Sequence, residues 1–354
     1  MIFKFKKCKL SYFLRSYNNG FSCKWLEYDK YGDPLTILEL KSHDYSSDDI
    51  NKEIIEKNIL VKILASPINP ADINKINGTY GYKSKGFPTI AGTEGVAQVI
   101  NTYNDCDLKK GDKVIFIGDH YMGTWREFGF FKREHLYKIP AIHTMAAAML
   151  LVNPCTAYSL LKKFIHLTPG DVIIQNGANS GVGQFVIQLA HIFGINTINI
   201  VRNRENIDQL IGNLQMLGAN CVFTDDSLKS DTVKNVINKV GLPKLALNCV
   251  GGQNCLDMIS HLQKDATLIT YGGMSKKPVI IPTKYFIFNN LKALGFMLNH
   301  DKSTITHEIT ELCSYFNNNY LSLPSYKTFK LNEYKDAIHH SQTPYNTSKS
   351  MFVN

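Results

Sequence analysis

Residues 172–204 read VIIQNGANSGVGQFVIQLAHIFGINTINIVRNR, and this stretch decides the fold. Val172-Ile173-Ile174 is a short apolar run of the kind found in buried strands. A glycine-rich turn follows, from Gly177 through Gly181 to Gly183. Val182, Phe185, Val186, Leu189, Ala190 and Phe193 then recur at helical spacing and make one apolar stripe on an amphipathic helix. A second apolar run, Thr197 to Val201, closes the unit. Strand, tight turn, helix and strand form a dinucleotide-binding βαβ unit. Its glycines let the backbone approach a pyrophosphate, and the helix N-terminus offers free N–H groups to it. The glycine pattern is not GxGxxG, so its force comes from the strand and helix around it.

The end of the second strand selects between two dinucleotides. An NAD site places Asp or Glu there to hold the ribose 2′-hydroxyl. This chain reads Val201-Arg202-Asn203-Arg204. Two guanidiniums suit a 2′-phosphate, and the spacing from Gly183 to Arg202 is close to the roughly 20 residues such units require. The expected cofactor is NADPH. No carboxylate stands directly at the strand end, since Glu205 comes later and can instead cap the next helix; the plainer reading makes both arginines surface charges.

The chain has 354 residues, 44% of them apolar, which gives room for two domains with sizeable cores. No stretch has the ~18 uninterrupted apolar residues of a membrane span. The formal charge of +9 is concentrated at the start: residues 1–22 hold Lys4, Lys6, Lys7, Lys9 and Arg15 and no acid. Removing those five charges leaves +4, too mild to argue for nucleic acid. A basic, acid-free start with Phe3, Phe5, Leu10, Phe13 and Leu14 between the charges reads as an organellar transit peptide; a disordered basic tail is the alternative. The eight cysteines form no CxxC pair and no structural-zinc spacing, which fits a reducing compartment such as the mitochondrial matrix or the cytosol.

Residues 24–140 read as β-rich, with strands at Leu60–Ser66, Val96–Asn101 and Lys113–Gly118 and loops crowded with Pro, Gly and aromatic residues. From about residue 150 strands and helices alternate. Cys221–Thr224, Leu245–Val250, Thr267–Tyr271 and Leu291–Leu298 are the further strands, which predicts a doubly wound parallel sheet. The glycine pairs Gly251-Gly252 and Gly272-Gly273 stand at strand C-termini, where open α/β sheets bind ligands, or else serve only as helix-entry turns. A terminal strand, Ser348–Val353, is expected to return to the first domain.

This arrangement, with PINPADIN at 67–74, GTEGVAQV at 92–99 and KKGDKV at 109–114, resembles the medium-chain dehydrogenase/reductase superfamily. NGTYG at 77–81, GTWREF at 123–128, NPCTAY at 153–158, QNGANSGVGQ at 175–184, LNCVGG at 247–252 and TYGGM at 270–274 look like motifs of the mitochondrial trans-2-enoyl-thioester reductases. The resemblance implies an α/β chain made of a GroES-like β-rich catalytic domain (23–150, completed by 299–354) and a doubly wound Rossmann domain (151–298) that binds NADPH, after a transit peptide (1–22). Alcohol dehydrogenases of the superfamily carry a zinc-binding His in Gly-His-Glu. Here that place reads Gly92-Thr93-Glu94, and Thr is no zinc ligand, so no metal is expected.

The resemblance also implies a reaction and its residues. Hydride attacks the β-carbon of a trans-2-enoyl thioester carried by CoA or acyl-carrier protein, and the α-carbon takes a proton. Tyr80 is implied as the donor; a phenol is protonated at neutral pH. Its alternative role is to stack on the nicotinamide. Asn153 is implied at the nicotinamide side, Asn179, Ser180, Gly181 and Val182 at the pyrophosphate, and Arg202, Asn203 and Arg204 at the adenosine phosphate. Tyr271, Gly272, Gly273 and Met274, with Phe296, Met297 and Leu298, are implied beside the nicotinamide, and Lys349 reaches the cofactor from the returning tail. Trp125 either lines the acyl channel or belongs to the core. Two departures stand out: Met297 follows Gly295-Phe296 where the family often has Trp, and Gly177 replaces a frequent Ala. A homodimer through the Rossmann domain is expected from the superfamily. A zinc-free quinone or alkenal reductase and a non-catalytic NADPH-binding protein are the competing readings.

Overall fold

The computed structural model describes residues 20–298 and 302–354. The expected leader, residues 1–22, lies almost wholly outside the described residues. The chain divides into two compact units. One runs through Leu151 and resumes with residues 302–313 and Ser325–Asn354; the other comprises Val152 to residue 298 and Ser314–Pro324.

The first unit opens with β1 (Phe21–Tyr28), β2 (Glu39–Tyr45), β3 (Asn58–Pro67), β4 (Thr89–Ile90), β5 (Val96–Asn101), β6 (Lys113–Phe116), β7 (Phe128–Lys132) and β8 (Leu136–Lys138). β1 lies between β2 and β4, antiparallel to both. β3 is the hub of the larger sheet, antiparallel to β5 and to β7. Its sequence NILVKILASP is apolar almost throughout because both faces are covered; Leu60, Val61, Ile63 and Ala65 are fully buried. Trp125 is also fully buried. Its indole meets Phe352 edge-on at 5.3 Å and donates to the Pro67 carbonyl. Of the two readings of Trp125, this burial favours the core that Leu26, Ile68 and Ala91 also build.

The second unit holds β9 (Val172–Asn176), β10 (Asn196–Val201), β11 (Cys221–Thr224), β12 (Leu245–Asn248), β13 (Thr267–Thr270) and β14 (Lys292–Gly295). All pairs are parallel, in the order β11-β10-β9-β12-β13-β14. The order reverses between β9 and β12, which is where such sheets bind ligands, beyond the strand C-termini. Ile174, Ile198, Ala246 and Leu268 form the buried middle of this sheet. β14 is the edge strand, and all four of its residues are exposed.

β15 (Tyr326–Phe329) and β16 (Lys349–Val353) re-enter the first unit, where β16 pairs antiparallel with β3 and parallel with β15. Among the described residues all seven cysteines are free thiols, and six are buried. Burial pushes Cys249 and Cys255 up to about 11 and Cys313 to about 12. No helix among the described residues is long and apolar enough to cross a membrane.

Candidate active site

In the second unit the turn after β9 is built by close packing. Gly177 takes φ +60, and a Cβ there would lie 2.6 Å from Cys249 Sγ. Asn176 ties the two switch-point strands together: its Nδ2 donates to Asn248 Oδ1 (2.8 Å), and its Oδ1 accepts from the Cys249 N–H (2.8 Å). The helix Gly181–Ile192 begins at Ser180, whose hydroxyl accepts from the Gly183 N–H at 3.1 Å. Gly181 and Val182 open that helix, so their N–H groups have no intrahelical acceptor.

Asn153, first residue of the helix Asn153–Lys162, packs against this turn; a Cβ on Gly181 would stand 3.1 Å from its amide. Its Nδ2 is buried and has no partner in the protein. A buried donor left unpaired is costly, so the position suits a polar ligand. Tyr271 to Met274 wrap the ends of β12 and β13: Tyr271 N–H donates to Asn248 O (2.9 Å) and Met274 N–H to Cys249 O (2.8 Å). Burial holds the Tyr271 phenol well above its usual range. Gly273 and Met274 are exposed. Phe296 stacks edge-on against Phe164 at 5.4 Å; Met297 is exposed and Leu298 buried. Asn153 and Tyr271 thus both stand against the glycine turn at the end of β9, and the donor set fits a dinucleotide.

The loop after β10 holds a feature the sequence did not disclose. Arg202 and Asn203 are exposed and Arg204 half-buried. Asn203 is engaged by two acids that follow β11: its N–H donates to Asp225 Oδ1 (3.2 Å) and its Nδ2 to Asp226 Oδ2 (2.7 Å). Its side chain is therefore a brace for the loop that carries both arginines.

Tyr80 lies in the first unit, and the chain places it by a short chain of causes. Pro70 starts the helix Pro70–Ile76, and Asp72 Oδ2 accepts from the Asn69 N–H at 2.8 Å. Gly78 ends that turn at φ +74, a conformation an L-residue resists, and a Cβ there would strike the Tyr31 ring at 2.7 Å. The Thr79 and Tyr80 N–H groups then both donate back to Asn74 O, at 2.9 and 3.0 Å. Burial, then Asp72 and Tyr82, raise the Tyr80 phenol above its ordinary value, so it is fully protonated at neutral pH.

A buried polar network underlies Tyr80. Thr93 Oγ1 donates to Asp72 Oδ1 (2.7 Å), and Asn69 Nδ2 donates to Glu94 Oε2 (2.9 Å). Lys349 Nζ donates to Asn69 Oδ1 at 2.6 Å, and burial draws its ammonium down against the pull of Glu94 and Asp72. Lys349 thus belongs to this network within the first unit. Lys75, which sequence reasoning missed, donates to Thr93 Oγ1 and to the His120 carbonyl, with its Nζ 5.1 Å from the Tyr80 ring centroid. Among the described residues no group of three His, Cys, Asp or Glu side chains is placed to hold a metal ion.

Comparison with known proteins supplies the family. Residues 56–141 match the family model described as an alcohol dehydrogenase GroES-like domain, and residues 181–314 that described as a zinc-binding dehydrogenase. A mitochondrial enoyl-acyl-carrier-protein reductase of Xenopus tropicalis is 39% identical over 353 residues, covering 96% of this chain and 99% of its own. The corresponding reductase of Homo sapiens is 40% identical over 335 residues, covering 93% and 88%. The solved complex of Etr1p with NADP and crotonyl-CoA superimposes with a TM-score of 0.87 at 28% identity, over 94% of this chain and 100% of that one. The mitochondrial 2-enoyl thioester reductase Etr1p/Etr2p heterodimer from Candida tropicalis gives 0.86 at 29% identity over the same shares. The chain belongs to the family of mitochondrial enoyl-acyl-carrier-protein reductases.

Proposed function

We propose that this chain reduces trans-2-enoyl thioesters, carried by CoA or acyl-carrier protein, to saturated acyl thioesters with NADPH, within mitochondrial fatty acid synthesis. The observation that carries this reading is the GTYG turn that presents a protonated Tyr80, in a chain about 40% identical to enoyl-acyl-carrier-protein reductases. Bound NADPH would supply the hydride for the β-carbon. Tyr80 gives its hydroxyl proton to the α-carbon: the O–H bond breaks, the enolate electron pair takes the proton, and a phenolate remains until water reprotonates it. The Gly181 and Val182 N–H groups face the pyrophosphate, Asn153 the nicotinamide side, and Arg202 and Arg204 the 2′-phosphate. Tyr271 to Met274 and Phe296 to Leu298 flank the nicotinamide.

The chain acts as a homodimer in this reading. The exposed edge strand β14, with Leu294 on it and Ile287, Phe288 and Met297 exposed on either side, supports pairing between copies. The mitochondrial names of the relatives and the basic, acid-free leader favour the matrix.

The test is NADPH oxidation with crotonyl-CoA, a longer enoyl-CoA and a quinone, in the parent protein and in Tyr80→Phe. Enoyl thioesters should be the preferred substrates, and Tyr80→Phe should turn over at least about tenfold more slowly with little change in NADPH affinity. A preference for the quinone, or near-normal turnover in a folded Tyr80→Phe, would overturn the reading.

A further inference from the structure

Lys75 is a buried cation that the reaction as written leaves without a role. It lies on the helix Pro70–Ile76 between the buried Asp72 and Ile76, with 5% of its surface exposed. An apolar side chain would fill this position at no electrostatic cost, whereas an ammonium here must be desolvated. Its Nζ donates to Thr93 Oγ1 and the His120 carbonyl and stands 5.1 Å from the Tyr80 ring centroid and 5.4 Å from that of Tyr121. The cavity beside it, lined by Tyr28, Asp72, Thr93, His120 and Tyr121 among others, has a volume of about 10 Å³. That is room for roughly one water, and with the ammonium itself buried, solvent screens its charge only weakly.

We propose that Lys75 acts through Tyr80: its ammonium, fixed against the Tyr80 ring by Thr93 and the His120 carbonyl, offsets the negative charge left on the phenol when the proton departs to the α-carbon. Lys75 is thus a positioning cation carried by the helix Pro70–Ile76 and held at its tip by Thr93. The inference rests on Tyr80 as the proton donor.

The charged and titratable groups around the pair decide the pH dependence. Asp72 lies on the helix of Lys75 itself and is tied to it through Thr93. Asp119, His120 and Tyr121 come from the segment after β6, and Tyr28 from β1; Asp119 is paired with Lys85 at 2.9 Å. Tyr82 stands 6.4 Å from the Tyr80 ring, and Lys83 donates to the Gly78 carbonyl. Burial lowers the Lys75 ammonium, opposed by Asp72 and Asp119, while burial raises the Tyr80 phenol. On raising the pH, turnover should fall as the ammonium is lost.

Two replacements separate charge from shape. Lys75→Gln keeps a donor toward Thr93 and the His120 carbonyl but has no charge. It should lower kcat by about tenfold or more with KM nearly unchanged, and it should lack the alkaline limb of the parent. Lys75→Arg keeps a charge that does not titrate. It should restore most of the turnover and carry it to higher pH. A second readout needs no cofactor. The phenolate absorbance of each variant is titrated with pH, and that of the same variant carrying Tyr80→Phe is subtracted. Tyr80 should ionise at lower pH in Lys75→Arg than in Lys75→Gln; should the glutamine variant not fold, Lys75→Met takes its place. Parent-like turnover and alkaline limb in Lys75→Gln, or coincident Tyr80 titrations in the arginine and neutral variants, would overturn the proposal. Near-normal turnover in Tyr80→Phe would instead remove the donor role on which it stands, even with the titrations apart.

Discussion

Replacing Gly183 with alanine adds one methyl group to the tightest part of the second unit. The backbone there does not need glycine, because Gly183 is not among the positive-φ residues. The obstacle is space. The new Cβ would stand 2.6 Å from the Ala178 carbonyl oxygen and 2.7 Å from both Ala178 Cα and the Gly177 carbonyl oxygen. All three are main-chain atoms, so no side chain can swing aside and the turn itself must open. Overpacking of this kind costs ~1–3 kcal/mol. The better helix preference of alanine returns at most about 1 kcal/mol. With overpacking near the middle of that range and the full return, the net loss is about 1 kcal/mol, or about 2–4 °C in Tm for a unit of this size. Because the displaced atoms belong to the turn proposed to hold the pyrophosphate, NADPH affinity should fall by about fivefold if binding must close the turn again. The matched control is Gly212→Ala in the helix Ile207–Met216, where no atom lies within 4 Å of the added Cβ. That variant should gain about 1 kcal/mol. Thermal unfolding and titration of NADPH fluorescence read both quantities. A Gly183→Ala protein with parent Tm and parent affinity would refute the packing argument.

Reversing the charges proposed to meet the 2′-phosphate, Arg202→Asp with Arg204→Asp, should shift preference from NADPH toward NADH. Unchanged selectivity in the kcat/KM ratio for the two cofactors would end their assignment to the 2′-phosphate. The Asp171 carboxyl is lowered by Lys244 and by the Thr168 N–H, which donates to it at 2.8 Å. Its contribution is present above the unfolded-state value of about 3.9 and is lost as the pH falls through its lower folded value. The Tm difference between the parent and Asp171→Asn should therefore be largest near neutrality and shrink in acid; a difference independent of pH would count against this pair.

The second unit was legible because its signals are local. Each parallel strand is a short apolar run, and each is followed by glycine or by a helical stripe, so β9 to β13 fall close to where the periodicity puts them. The first unit was harder to read because its order comes from distant partners. β1, FSCKWLEY, has charged residues among its aromatics, and only its pairing with β2 and β4 makes it a strand. The helix Ser47–Ile55 carries Asp48, Asp49, Lys52 and Glu53 and looks like a polar loop until its capping box is seen. Trp125 had two readings that no neighbour in sequence could separate; its contact with Phe352, more than two hundred residues on, favours the core. At the site, the glycine turn declared itself, while Asn153 and Tyr80 rested on resemblance alone. Lys75 escaped because a lysine on a short helix ordinarily points to water, and its burial depends on Thr93 and His120, which are remote in the chain. Asp225 and Asp226 escaped for the same reason: they reach Asn203 only through the pairing of β10 with β11.

The enclosed sulfur atoms have a use beyond packing. Thiolate, not thiol, reacts with alkylating reagents, and the two buried thiols of the helix and turn at the β12 end are held protonated as well as shielded. Their modification must wait for the surrounding polypeptide to open. Cys23 and Cys106 are enclosed in the GroES-like lobe, and Cys249 and Cys255 in the nucleotide-binding lobe. Mass-resolved labelling would therefore time the breathing of each lobe from its native cysteines, with no engineered probe.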